Sequence, residues 1–133
     1  MANLSREESY EYLKQEKLGR LVVRRTDDMD LFQVNYVVDG EDIFFRTAEG
    51  TKLFSINLNN DVLFAVDHIG KKAAWSVVIK GSAEWITDLE SIQQCDTLPL
   101  KPWLPTLKYN YVRIRPREVS GRYYEYGEEP ERY

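Results

Sequence analysis

Val34-Asn35-Tyr36-Val37-Val38-Asp39-Gly40-Glu41-Asp42-Ile43-Phe44-Phe45 is the stretch that decides the architecture. Asp39-Gly40 is a strong two-residue hairpin signal, and it lies between two runs rich in β-branched and aromatic residues. Residues on both sides extend the pattern. Upstream, residues 18–26 read as extended, and the polar group Asp27-Asp28-Met29-Asp30 turns the chain into the run 31–38, so one hairpin feeds the next. Ser5 and Glu8 stand at capping-box spacing, and Tyr12, Leu13 and Leu18 approach helical periodicity, which predicts a helix over 5–17 that caps one end of the core.

Downstream of Arg46-Thr47 comes Gly50, followed by a short helix over 51–58 whose buried face would use Leu53, Ile56 and Leu58. A fourth strand over 62–67, a connection over 68–72 and a long fifth strand over 74–86, bent at Gly81, come next. Residues 87–95 suit a helix starting at Thr87 or Asp88, and Pro99, Pro102 and Pro105 punctuate the loop that carries Trp103. Two extended runs, 109–114 and 118–126, are expected to be separated at Pro116. The whole reads as one domain over 1–133, with the N-terminal helix inside 1–17 and a flexible tail over 127–133. The fold class is mainly β: six or seven antiparallel strands forming a barrel, with a few short helices. No GxGxxG stretch supports a doubly wound α/β sheet.

With 43% hydrophobic and 30% charged residues, the chain has the composition of a packed globular protein. Its formal net charge of −4 gives no general attraction to nucleic acid or to an anionic membrane, so neither is expected as a partner, and any anion must be gripped locally. An acidic, polar start without an apolar run, together with a single cysteine, points to the cytoplasm. Cys95 reads as a structural thiol. One His and one Cys cannot make a metal site, and no triad can be built around a single histidine.

Phe45-Arg46-Thr47-Ala48-Glu49-Gly50-Thr51-Lys52 joins a strand end, a glycine and a helix start with two cations and two hydroxyls. Free N–H groups at a helix N-terminus attract phosphate, Thr47 and Thr51 donate, Arg46 offers a planar fork and Lys52 a mobile point charge. Glu49 would have to face away. On its own the octapeptide reads equally well as an ordinary capped helix with surface ions.

The chain resembles the pyridoxamine 5′-phosphate oxidase-like FMN-binding split-barrel superfamily, in its nitroimidazole-resistance-reductase-like branch. The resemblance rests on Leu18-Gly19-Arg20-Leu21-Val22, on residues 34–40, on Ile43-Phe44-Phe45-Arg46-Thr47 with Gly50-Thr51-Lys52-Leu53, on Val66-Asp67 and Gly70, and on residues 75–84, all in the family's order. It implies a six-stranded antiparallel split barrel and a homodimer with FMN at the interface. It also implies a small-molecule oxidoreductase whose hydride or electron transfer is the flavin's. By the same resemblance Arg46, Thr47, Thr51 and Lys52 hold the flavin phosphate, Val34, Asn35 and Tyr36 line the ring, and Trp75 and Ser76 stand near it. Where the nitroimidazole reductases often carry a histidine before Gly-Arg-Leu, this chain has Leu18. Some relatives bind a deazaflavin or haem instead, and a non-catalytic flavin carrier, store or sensor is the alternative to an enzyme.

Among single residues, His68 reads as a solvated loop histidine or as a proton donor near the flavin. Trp75 reads as a flavin wall or a core residue, Trp103 as a side chain reaching across a dimer, and Asn35 as a structural amide or a flavin contact. Arg113, Arg115, Arg117 and Arg122 form a basic cluster, either solvated strand charges or one side of an anion site completed by a partner subunit.

Overall fold

A computed structural model describes residues 1–47, 55–56, 59–100 and 110–127. In chain order its elements are β1 (Ala2–Leu4), α1 (Arg6–Leu13), β2 (Leu18–Arg25), β3 (Asp28–Asp39), β4 (Asp42–Thr47), β5 (Asp61–Ile69), β6 (Ala73–Ile86), α2 (Leu89–Cys95) and β7 (Asn110–Glu125). Gly50, Thr51, Lys52, Trp103, Pro102, Pro105 and the tail 128–133 lie outside the described residues. Of the helix expected over 51–58, Ser55 and Ile56 are described; both are helical and buried.

The strands pair antiparallel in the order β1-β7-β4-β3-β2-β5-β6, and β6 bonds to β7 as well. Six strands thus close a ring, β7-β4-β3-β2-β5-β6-β7, while β1 hangs on the far end of β7 with Ala2 opposite Tyr123. This is the split-barrel architecture. Ring closure removes exposed strand edges and encloses the apolar faces together.

The deciding hairpin forms, its turn shifted by one residue: Asp39 pairs with Asp42, and Gly40-Glu41 make the loop, with Gly40 at φ +64°. In the first hairpin the turn is Thr26-Asp27, so Asp28, Met29 and Asp30, expected in the turn, belong to β3. His68 lies in β5 opposite Trp75, not in the connection after it. The largest difference is at Pro116, which does not break the chain into separate strands. β7 runs through it as one element, because the register against β6 slips between Lys80 and Gly81, setting Gly81 opposite Pro116 and Lys80 opposite Glu118. A bulge is one of the few places in a sheet where proline's missing N–H costs no ladder bond.

Helix α1 starts in the expected capping box: the Glu8 N–H donates to Ser5 Oγ at 3.1 Å and the Ser5 N–H to Glu8 Oε1 at 2.9 Å. It stops at Leu13 rather than reaching residue 17. The Tyr36 hydroxyl, from β3, donates to the Leu13 carbonyl, and the Tyr36 N–H donates to the Lys17 carbonyl at 3.0 Å. One of the orphan carbonyls of the last helical turn is thereby satisfied from the sheet, and the chain is held extended for β2. At the other end the Tyr10 hydroxyl donates to the Glu41 carbonyl at 2.7 Å, fixing α1 to the β3–β4 turn.

Period-two alternation fills the ring. Leu21 and Val23 of β2, Phe45 of β4, Val62, Phe64 and Val66 of β5, and Val77 and Ile79 of β6 point inward and are buried. Each such side chain contributes roughly 1.5–3 kcal/mol by burial. A second, smaller cluster of Phe44, Ile86, Cys95, Leu100 and Tyr111 lies apart from this core, on the other face of β4 and against α2.

Candidate functional site

The end of β4 sets the site. Along that strand Ile43, Phe45 and Thr47 alternate inward, so Phe44 and Arg46 project from the outer face of the barrel. Arg46 stands opposite Tyr111 of β7, and the β3–β4 register carried one residue past Tyr36 and Phe45 sets Asn35 beside it. Asn35 in turn pairs with Leu18 at the start of β2. On the neighbouring strands Ser76 pairs with Asp67 and with Arg122, and Asp67 accepts two contacts from Arg20 Nη2, at 2.8 and 3.0 Å. One outward belt thus winds round the barrel from Arg46 through Asn35, Leu18 and Asp67 to Ser76 and Arg122, offering three guanidinium groups, an amide and a hydroxyl, and it meets β7 at Tyr111 beside one end and at Arg122 beside the other.

The residues implied by the resemblance divide between the two faces. Asn35, Arg46 and Ser76 are partly exposed and belong to the belt. Val34, Tyr36, Thr47 and Trp75 are 4%, 4%, 6% and 5% exposed and turn into the barrel. At Val34 and Tyr36, therefore, the backbone is what reaches the outer face. Thr51 and Lys52 lie outside the described residues.

Tyr36 is held by its hydrogen bond and by the edge of Phe64, with ring centroids 5.1 Å apart at 78°. Burial, aided by the Glu16 carboxylate, pushes its phenol well above the ordinary tyrosine value. Trp75 packs on Tyr12, 5.1 Å between centroids, and Tyr12 on Tyr123 at 6.2 Å. His68 stacks over the opposite side of this group, 6.4 Å from Trp75 at 25°, and its Nδ1 is 2.9 Å from Glu16 Oε1. Neither Glu16 nor Tyr12 stood out in the sequence as a site residue, because nothing local marks a turn glutamate as the partner of a distant histidine.

The arginine cluster of β7 is largely neutralised. Arg113 meets Glu84 at 2.7 Å, Arg115 the same carboxylate at 3.7 Å, and Arg117 meets Asp61 at 3.4 Å. Arg122, exposed and next to Ser76, has no carboxylate partner among the described residues. Tyr111 is buried beside Arg46 and donates from its hydroxyl to Asp96 Oδ1 at 2.6 Å, which ties the end of α2 to the belt. Cys95 is buried, and burial pushes its thiol pKa up, as befits a packing role. Among the described residues no helix is long and apolar enough to cross a membrane.

A family model described as pyridoxamine 5′-phosphate oxidase matches residues 5–123, spanning every element of the ring and the whole of the belt. The chain belongs to the pyridoxamine 5′-phosphate oxidase family. A solved chain from Corynebacterium glutamicum, assigned as a pyridoxamine 5′-phosphate oxidase, is 55% identical with a TM-score of 0.90 over 96% of both chains. An FAD-binding protein from Mycobacterium smegmatis is 35% identical with a TM-score of 0.81, over 95% of this chain and 100% of that one. An uncharacterised Mycobacterium tuberculosis protein is 38% identical over 96 residues, 72% of this chain and 87% of the relative. The fold is shared further with a 5-nitroimidazole antibiotic resistance protein of Bacteroides thetaiotaomicron, TM-score 0.75 at 11% identity over 92% of this chain and 86% of that one.

Proposed function

We propose that this family member is a cytoplasmic flavin-binding protein that holds FMN between the subunits of a homodimer and uses it to oxidise or reduce a small organic molecule. The observation that carries the reading is the 35% identity, over the full length of the relative, to a protein that binds FAD. The donor set of the belt fits such a ligand. Arg46 is a fork for phosphate oxygens, Asn35 is an amide suited to the polar edge of an isoalloxazine, and Leu18 is an apolar surface for the ring. Arg122 and Ser76 would meet the ligand of the partner subunit. When bound, the flavin supplies the hydride or electron chemistry, and the barrel supplies position, polarity and access.

An exposed apolar band supports the dimer. Leu31, Leu63 and Val78 are 61%, 40% and 38% exposed, and with Val22, which pairs with both Leu31 and Leu63, they cross four neighbouring strands of the outer face. Contiguous apolar surface of this kind is what a partner buries.

FAD is a second reading, favoured by the M. smegmatis relative. It retains the phosphate that Arg46 would hold, with an adenylate beyond it. Titration of flavin-free protein with FMN, FAD and riboflavin separates these readings. Tight FMN or FAD binding with weak riboflavin binding is expected. Arg46→Ala should then weaken the nucleotide by about 1.5–3 kcal/mol, roughly 10- to 150-fold, and leave riboflavin unchanged. Equal binding of riboflavin and FMN would remove the phosphate grip, and binding of none of the three would refute the flavin reading.

A further inference from the structure

We propose that the open cleft at the end of β6 binds a nucleoside monophosphate, either free or as the adenylate half of a dinucleotide. None of the residues lining it belongs to the belt, and the site does not depend on the flavin reading. β5 begins at Asp61, opposite Ser82, so Ala83, Glu84, Trp85 and Ile86 have β7 as their one ladder partner among the described residues. Past that point both faces of β6 are reached from its free edge. There a cleft of about 750 Å³ lies between the strand end and Asn59-Asn60, a size that takes a small organic ligand. The Ala83 N–H donates to the Asn60 carbonyl at 2.8 Å and the Asn59 N–H to the Ser55 carbonyl at 2.9 Å, which pins the far wall to the strand and to buried Ser55.

Arg115 is the cation with donors to spare. It shares Glu84 with Arg113, but Arg113 takes that carboxylate by a hydrogen bond at 2.7 Å and leaves Arg115 at 3.7 Å, beyond hydrogen-bond reach. Arg117 is drawn off to Asp61 at 3.4 Å. Of these three arginines, Arg115 is therefore the one without a hydrogen bond among the described residues. Ser82 pairs with Arg115 across the β6–β7 ladder, which sets a hydroxyl beside the guanidinium. A planar fork with an adjacent hydroxyl is a donor set for a phosphate group.

The rest of the wall suits the nucleoside. Trp85 packs on the barrel core and also lines the cleft, so its indole offers a plane for a base to stack on. Ile56 and Ala83, both buried, make the floor apolar. Asn59 spends its Oδ1 on the Asp61 N–H at 3.0 Å, which turns its amide N–H groups to the ligand. The Asn60 amide and the Thr87 hydroxyl, which line the same cleft, are bonded to no protein group among the described residues. Amides and hydroxyls of this kind match the edge of a base and the hydroxyls of a ribose. Glu84 also lines the cleft, but its charge is met by Arg113.

Titration calorimetry of the flavin-free full chain with AMP, adenosine and inorganic phosphate tests the site. AMP should bind about 10- to 100-fold more tightly than adenosine or phosphate, because it alone engages both halves of the cleft. Arg115→Gln alters a side chain that is 60% exposed and meets Glu84 only at 3.7 Å, so the fold should stand. It should bring AMP down to the affinity of adenosine and leave adenosine unchanged, whereas Arg46→Ala should leave AMP binding as it was. Loss of AMP binding in Arg46→Ala rather than in Arg115→Gln would put the nucleotide on the belt and overturn the proposal. Equal affinities for AMP and adenosine, or no binding of AMP at millimolar concentration, would overturn it as well. FAD and FMN then name the source of the nucleotide: Arg115→Gln weakens FAD but not FMN if the cleft takes the adenylate of the dinucleotide, and leaves both unchanged if it takes a free nucleotide. Failure to take up any flavin would count against the functional reading alone, and the AMP titration would still decide the cleft.

Discussion

At the scale of single residues, Tyr36 joins three parts of the molecule. Its hydroxyl closes α1, its N–H fixes the entry to β2, and its ring packs edge-on against Phe64 in the barrel core. Removing the hydroxyl in Tyr36→Phe leaves the Leu13 carbonyl without that donor and should cost about 1 kcal/mol, read from urea unfolding. Alkaline pH supplies a second readout. Because burial raises the phenol pKa in the folded chain, the unfolded chain ionises first. Protons bound in the folded state then exceed those bound in the unfolded state, so stability is intact below pH of about 10 and falls as pH rises beyond it. Tyr36→Phe should flatten that fall. An unchanged alkaline slope in the variant would mean that other groups carry it. The same residue marks a limit of local reading. In the mixed apolar run 34–38 nothing in the sequence says which face turns inward, and the register against β4 and β2 gives Asn35 to the outer belt and Val34 and Tyr36 to the core.

At the scale of elements, the β6–β7 ladder depends on one pair. Gly81 faces Pro116 at the bulge, and a Cβ on Gly81 would run into the Arg115 carbonyl oxygen, which belongs to backbone and cannot swing aside. Gly81→Ala should therefore destabilise the chain by about 1–3 kcal/mol, measured as a lowered urea midpoint. An unaltered midpoint would show that the bulge relaxes freely. Hairpins and helix starts were legible because their signals are local: Gly40 in its turn, Ser5 with Glu8, and Asp88 capping α2 by accepting from the Ser91 N–H. The continuity of β7 was not. Proline usually ends a ladder, and only the slip in the opposing strand tells that Pro116 is tolerated. Nor was β1, whose three residues carry no strand signal until β7 lies beside them.

At the scale of the whole molecule, ring closure lines up outward positions from β2, β3, β4 and β6 in one belt round the barrel, with the apolar row of Leu31, Val22 and Leu63 on the same outer face. The family order of short motifs was readable along the chain, and the match over residues 5–123 accords with it. Contacts between distant segments, such as His68 with Glu16 or Tyr111 with Asp96, become visible only after folding. If the flavin sits between two copies, cofactor and dimer should be inseparable. Sedimentation of the protein mixed with FMN, followed in both the protein band and the visible band of the flavin, tests this most directly. The account predicts that flavin absorbance travels with a species of twice the chain mass. It also predicts that Leu63→Arg, a charge placed on the exposed band, yields a folded monomer from which the flavin is lost. Flavin remaining unbound while the protein sediments, or travelling with a monomer, would contradict it.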